Sequence, residues 1–317
     1  MKLPSSATIV DMTGRDGFQM ESAFIPTEQK IEIINLLSHS GLREIQVTSF
    51  VHPKAVPQLQ DAEAVMTGIE RVPGVLYRVL VPNLRGAERA LAVGADELNL
   101  LVSVTDSHSL SNANRSTTDA LAALEPVIER AEREGVRATG GAAVSLGCPF
   151  EGIPPVERLD LVYGFFYERG IRKLSVADTV GMANPVLVYE RLSYLRDRYP
   201  DATFSLHLHD TRRMAMPNIL AGLQAGVTEF DSTVGGLGGC PYAPGATGNI
   251  ATEDMVHMLH EMGIETGVDL DALLAIGRRL REIVGHDLDS NILRAGKSSE
   301  LYELSAVSRQ QQLTADS

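Results

Sequence analysis

The sequence predicts an α/β fold, a single (β/α)8 TIM barrel with a helical appendage at its C-terminal end. Three observations predict it. Strand-like and helix-like segments alternate eight times with no linker or low-complexity break, which favours a closed parallel barrel over an open sheet. The 317 residues accommodate such a barrel, which takes about 250, and leave room for an appendage. Polar residues able to do chemistry gather where strands run into loops, the end at which barrel enzymes carry their sites. The expected division is 1–287 for the barrel with its last helix and 288–317 for a polar tail.

The first strand is expected over 8–12 and runs into the turn Gly14–Phe18, GRDGF. Pro26 and Thr27 then open a helix with Ile31, Ile34 and Leu37 on one stripe, stopped by Gly41. A second strand covers 43–50 and its helix 56–70. The third pair is a strand at 75–81 and a helix at 84–93, ended by Gly94. In the fourth strand, 97–104, Leu98, Leu100 and Val102 share the face turned to the outer helices. Its helix covers 117–134, with Pro126 expected to kink or split it. The fifth strand, 137–145, is rich in Gly and Ala, and a helix follows at 156–168. The sixth, 173–177, ends on Asp178 and leads to a helix at 186–198.

The seventh strand, 203–209, carries the clearest signal. TFSLHLHD alternates with period two, so Phe204, Leu206 and Leu208 take one face and Ser205, His207 and His209 the other. A helix near 218–224, an eighth strand at 229–234 and a helix at 249–262 complete the row. The helix at 270–284 is the appendage. Beyond about 291 the polar chain is expected to be poorly ordered unless it docks.

Composition bounds the function. A hydrophobic content of 44% with 15 prolines describes an ordinary globular protein. A net charge of −13 argues against nucleic acid or an anionic membrane as the main partner. Two cysteines do not make a secreted disulfide framework. The start, MKLPSSATIV, lacks an apolar leader segment, and no run approaches the ~20 apolar residues of a membrane span. A soluble, cytoplasmic protein is expected.

Imidazoles spaced i, i+2 on one strand face can grip one ion, although buried paired histidines share that pattern. Asp16, His207, His209 and Asn249 together offer two imidazoles and two oxygen donors at three strand ends. Mixed nitrogen and oxygen ligation without thiolate suits Mg²⁺ or Mn²⁺ better than structural zinc. Asn249 also reads as a helix N-cap. The Gly-rich stretch 235–249 lacks the ending of a phosphate-binding P-loop. It presents Cys240 either as a proton donor or nucleophile on a flap or as a small buried hydrophobe. Cys148 reads as packing. Asp178 reads as a general base, a group behind the metal or a helix cap. Arg15 reads as a salt-bridge partner of Asp16 or as an oxyanion stabiliser.

GRDGFQ, TSFVHPKAVPQLQDAEAV, LGCPFEG, ADTVG, HLHDT and GGLGGCPYAPGATGNIATED resemble the 3-hydroxy-3-methylglutaryl-CoA lyase family over roughly residues 7–287. The Cys-containing loop is the most specific piece, because the related isopropylmalate-type synthases carry a different loop there and an extra C-terminal regulatory domain. The resemblance implies a divalent cation held by Asp16, His207, His209 and Asn249. It implies that Arg15 stabilises the enolate-like oxygen of a departing acetyl thioester. Cys240 then acts in acid–base work, and Asp178 helps handle the substrate hydroxyl proton. Gln46 and Thr48, at the end of strand two, face the substrate, and Lys54 and Arg85 are the basic residues suited to the CoA phosphates. A homodimer is expected. The competing readings are an acyl-CoA/2-oxo-acid Claisen-type acyltransferase and a metal-binding barrel with lost turnover. The chain departs from the family pattern at Gln46 and Asp11, where Glu is usual, and at Arg212 and Arg213 after HDT.

Overall fold

Eight parallel strands pair in sequence order and close on themselves in this computed structural model, which describes residues 3–239 and 248–301. They are β1 (Thr8–Asp11), β2 (Glu44–Ser49), β3 (Leu76–Leu80), β4 (Glu97–Ser103), β5 (Arg137–Ala143), β6 (Lys173–Asp178), β7 (Thr203–Leu208) and β8 (Glu229–Ser232). Closure comes from β1 against β8, with Val10 opposite Asp231. The outward faces are apolar and buried, Leu98, Leu100 and Leu206 among them. The inward faces carry Gln46, Arg78, Asn99, Thr139, Ser175 and Ser205, so this barrel is lined with polar groups rather than filled by branched aliphatics.

Helices α1 (Thr27–Ser38), α2 (Ala62–Gly68), α3 (Leu84–Ala92), α4 (Asp106–Ala113), α5 (Thr117–Glu134), α6 (Val156–Glu168), α7 (Pro185–Arg198), α8 (Ala215–Gln224) and α9 (Thr252–Glu261) surround the strands. Side chains of Asn83, Ser116 and Asn184 accept the orphan N–H groups at the starts of α3, α5 and α7. The small residues of β5 have a steric cause. A methyl group on Gly140 would sit 2.6 Å from the Phe166 ring of α6, so bare backbone lets the helix approach.

Three local expectations change. The helix expected over 56–70 is a 3-10 turn, Pro57–Leu59, followed by the short α2. The Gln58 carbonyl, which a continuous helix would offer to the Ala62 amide, accepts from Lys30 Nζ instead. Pro126 does not split α5, which runs from Thr117 to Glu134 with Pro126 on its exposed side. Helix α4 is an addition, in a polar stretch without apolar periodicity.

Beyond the barrel, α10 (Leu270–Val284) starts at the Asp269 cap and is followed by α11 (Asn291–Ala295). The latter docks: Asp254 accepts hydrogen bonds from Ser290 Oγ at 2.7 Å and from the Asn291 and Ile292 amides at 2.8 and 2.9 Å. No helix among the described residues is long and apolar enough to cross a membrane.

Candidate metal centre and active-site cavity

The turn after β1 is a single wide π-type turn, Thr13–Gly17. The Met12 carbonyl accepts the amides of Asp16 at 2.8 Å and Gly17 at 3.2 Å, and turns of this kind recur at functional sites. Gly14 permits it, since a Cβ there would fall 2.4 Å from the Val47 carbonyl. The result turns Arg15 and Asp16 into the mouth of the barrel, both buried. At the far side, His209 and Asn249 form a backbone bridge that carries the loop after β8 to the end of β7.

These elements converge. The ligand atoms of Asp16, His207 and His209 all lie within 4.8 Å of one another. The two imidazole Nε2 atoms are 3.2 Å apart, and Asp16 Oδ2 is 3.7 Å from that of His207 and 3.5 Å from that of His209. Asn249 Nδ2 donates to the same Asp16 oxygen at 2.7 Å. Burial pushes the Asp16 carboxyl up, but the Arg15 guanidinium and the two imidazoles outweigh it and hold the group well below the usual carboxylate range. Asn249 Oδ1 is buried without a hydrogen-bond partner among the described residues. An orphaned acceptor beside a carboxylate and two facing imidazoles is the chemistry of a divalent-cation site, and the residues present fit one.

Arg15 donates to Asp16, to Gln46 Oε1 and, at 3.3 Å, to Met12 Sδ. Gln46 passes the polarity on: its Nε2 donates to Asn99 Oδ1 at 3.2 Å, and Asn99 donates to Thr139 Oγ1 at 3.0 Å. Behind the imidazoles, His207 Nδ1 stands 3.3 Å from Asp231 Oδ2, and Arg78 donates to Asp231 Oδ1 at 3.0 Å. A cavity of about 740 Å³ opens onto this centre, with Arg15, Asp16, His207 and His209 in its wall. It descends past Thr139, Ser175 and Ser205 to Lys173, and its outer part is bordered by His52, Asn83 and Arg115.

Arg15, Asp16, Gln46, His207, His209 and Asn249 therefore come together. Thr48 is buried and does not line the cavity. Lys54 and Arg85 are exposed on neighbouring segments outside the cavity wall. Asp178 turns its carboxylate to the amides of Met182 at 2.8 Å and Ala183 at 3.0 Å, and burial raises its pKa. Arg212 is bound to the carbonyls of Val180 and Gly181, and Arg213 to Asp210 and Asp289. Cys240 lies outside the described residues. Sequence reading missed Asp231, Asn99, Thr139 and Arg78. Alternation along EFDS (229–232) puts Glu229 and Asp231 on one face, the signal that would have drawn attention to Asp231.

Known proteins resemble this chain over nearly its whole length. The hydroxymethylglutaryl-CoA lyase of Bacillus subtilis is 44% identical over 94% of this chain and 100% of its own length. A crystal structure of the Bacillus subtilis HMG-CoA lyase superposes with a TM-score of 0.90, covering 93% of this chain and 99% of that one. An HMG-CoA lyase from Acinetobacter baumannii in complex with coenzyme A and 3-methylmalate gives a TM-score of 0.90 at 40% identity, over 94% and 98% of the two chains. The model of the family described as HMGL-like matches residues 6–280, and this chain belongs to that family.

Proposed function

We propose that this chain is a divalent-metal-dependent carbon–carbon lyase. It cleaves 3-hydroxy-3-methylglutaryl-CoA, or a closely related 3-hydroxy-3-substituted acyl-CoA, to acetyl-CoA and a 3-oxo acid. The observation that carries this is the convergence of Asp16, His207 and His209 beside the orphaned Asn249 Oδ1, at the mouth of a deep cavity. Likeness to named lyases over nearly the whole chain supports it. Coenzyme A bound to the Acinetobacter relative supports an acyl-CoA substrate.

The donors suit Mg²⁺ or Mn²⁺, which when bound polarises substrate oxygens and lowers the pKa of a hydroxyl. Asp16 supplies the negative charge of the site, and the imidazoles meet it through Nε2. Arg15 keeps its guanidinium in the cavity wall, pinned by Asp16 and Gln46. It is thus preorganised for the charge that develops on the thioester carbonyl oxygen as the C–C bond breaks. Cleavage releases the hydroxyl proton and returns one proton to the acetyl carbon. Cys240 is the proposed donor to that carbon. Asp178 organises the turn whose Thr179 borders the cavity, and it is the proposed participant in moving the hydroxyl proton. We assign the protein to the cytoplasm as a homodimer.

Mass spectrometry of products from a panel of 3-hydroxyacyl-CoAs, incubated with Mg²⁺ or Mn²⁺, tests the reading. Acetyl-CoA with a matching 3-oxo acid is expected. Release of free CoA from acetyl-CoA and a 2-oxo acid, with no cleavage anywhere in the panel, would overturn it in favour of an acyltransferase.

A further inference from the structure

The two ring nitrogens of His207 serve different neighbours. Nε2 faces Asp16 and His209, at 3.7 and 3.2 Å, on the side where the ion ligands converge. Nδ1 faces Asp231 Oδ2 at 3.3 Å. Asp231 is absent from the converging group, so it is placed to act on the ring and not on the ion. His209 offers the contrast within the same site: its Nδ1 is buried with no hydrogen-bond partner among the described residues. One imidazole is held from behind by a carboxylate, and the other is not.

Asp231 is itself held. It is 2% exposed, and its Oδ1 accepts from Arg78 at 3.0 Å. Arg78 is equally buried, and its other terminal nitrogen lies 3.6 Å from Glu97 and 3.8 Å from Glu44 on the barrel floor. A cation fixed between floor carboxylates and Asp231 leaves Asp231 little freedom to turn. The strands enforce the same order, since β7 and β8 pair with His207 opposite Asp231.

We propose that Asp231 is a positioning residue of the metal centre. Accepting from Nδ1–H, it holds His207 in the tautomer whose Nε2 lone pair faces the ion, and Arg78 anchors Asp231 from below. A carboxylate behind a ligating imidazole fixes ring orientation and raises the basicity of the free nitrogen, and its loss commonly weakens metal binding about 10- to 100-fold. The proposal rests on the metal-centre reading given above.

Full-length, metal-free protein titrated with Mn²⁺ and followed by electron paramagnetic resonance tests it. The paired variant Arg78→Met/Asp231→Leu removes both charges together and avoids orphaning a buried cation. It is expected to raise the Mn²⁺ dissociation constant about 10- to 100-fold, with a circular dichroism spectrum like that of wild type. Long-range ¹H–¹⁵N correlation on the metal-free protein, with His207 assigned through His207→Gln, should show Nδ1 protonated in wild type. The same experiment should show that preference lost in the paired variant. If the paired variant does not fold, Asp231→Asn, which keeps the volume and removes the charge, supplies the affinity reading. Wild-type Mn²⁺ affinity in the variant, or a wild-type His207 protonated at Nε2, overturns the proposal. Wild-type protein that takes up no Mn²⁺ overturns the metal-centre reading and this inference with it.

Discussion

Asn249 Nδ2 donates to Asp16 Oδ2 at 2.7 Å, joining two loops separated by 233 residues of chain. The bond closes the β1 and β8 ends of the barrel mouth around one carboxylate oxygen, and it leaves the amide oxygen of Asn249 without a partner. Both halves of the carboxamide are therefore informative. Asn249→Ala removes the free oxygen and releases Asp16, so calorimetry should show Mg²⁺ or Mn²⁺ binding weakened about 10-fold or more. Turnover of wild type should be lost to a chelator and restored by either ion. Tight metal binding in the alanine variant would remove Asn249 from the ligand set.

Gln46 is a second junction whose direction is fixed. It accepts from Arg15 and donates to Asn99, which donates in turn to Thr139. Glutamate has no side-chain donor when ionised. In Gln46→Glu, the Asn99 amide must flip to donate to the new carboxylate, and its bond to Thr139 then reverses, with the Thr139 hydroxyl donating to the Asn99 oxygen. If Gln46 sets substrate preference, the glutamate variant should gain kcat/KM on 3-hydroxy-3-methylglutaryl-CoA and lose it on whichever acyl-CoA the wild type prefers. The ratio should shift about 10-fold, the size of one rearranged buried hydrogen bond. Identical ratios in the two proteins would show that the position does not choose the substrate.

Cys240 enters through the sequence alone, as a thiol in GGLGGCPYAPG. Cys240→Ala should cut turnover about 10²- to 10⁴-fold, the range for a lost acid–base group, with Mn²⁺ affinity unchanged. Wild-type rates would take Cys240 out of the mechanism.

How far the sequence discloses this site depends on which interactions are local. The period-two pattern of 203–210 places His207 and His209 on the inner face, because strand alternation is a property of one segment. Asp231 escapes such a reading, since its meaning lies in the β7–β8 register that sets it beside His207. Lys54 and Arg85 show the converse. Their charge is legible, but the placement of the Lys54 turn and of α3, which carries Arg85, decides where it points, and the cavity rim carries His52, Asn83 and Arg115 instead. Arg212 and Arg213 are bound to the loops around them, which a run of two arginines does not announce. Helix α2 is shorter than its apolar pattern suggests because Lys30, from α1, takes the Gln58 carbonyl, a contact that the local sequence does not disclose.

Glu253 gives the fold a pH dependence whose sign can be worked out. It is fully buried on α9, and both its oxygens accept the Gly235 amide, at 2.9 and 3.1 Å. Burial raises its pKa from 4.5 to about 7, against the lowering effect of the backbone hydrogen bonds. Between those values the folded protein holds a proton that the unfolded chain has released. Stability from this group is therefore complete below about pH 4.5, falls as pH rises, and levels off above about 7. Glu253→Gln keeps an oxygen for Gly235 and cannot ionise, so it should escape the loss. The variant should gain on wild type between pH 4.5 and 7 by an amount on the order of 3 kcal/mol, following from 1.36 kcal/mol per pKa unit. Urea unfolding across this range, on both proteins with the metal removed, measures the gain. Parallel stability profiles would mean that Glu253 is ionised in the folded state, with the Gly235 amide outweighing its burial.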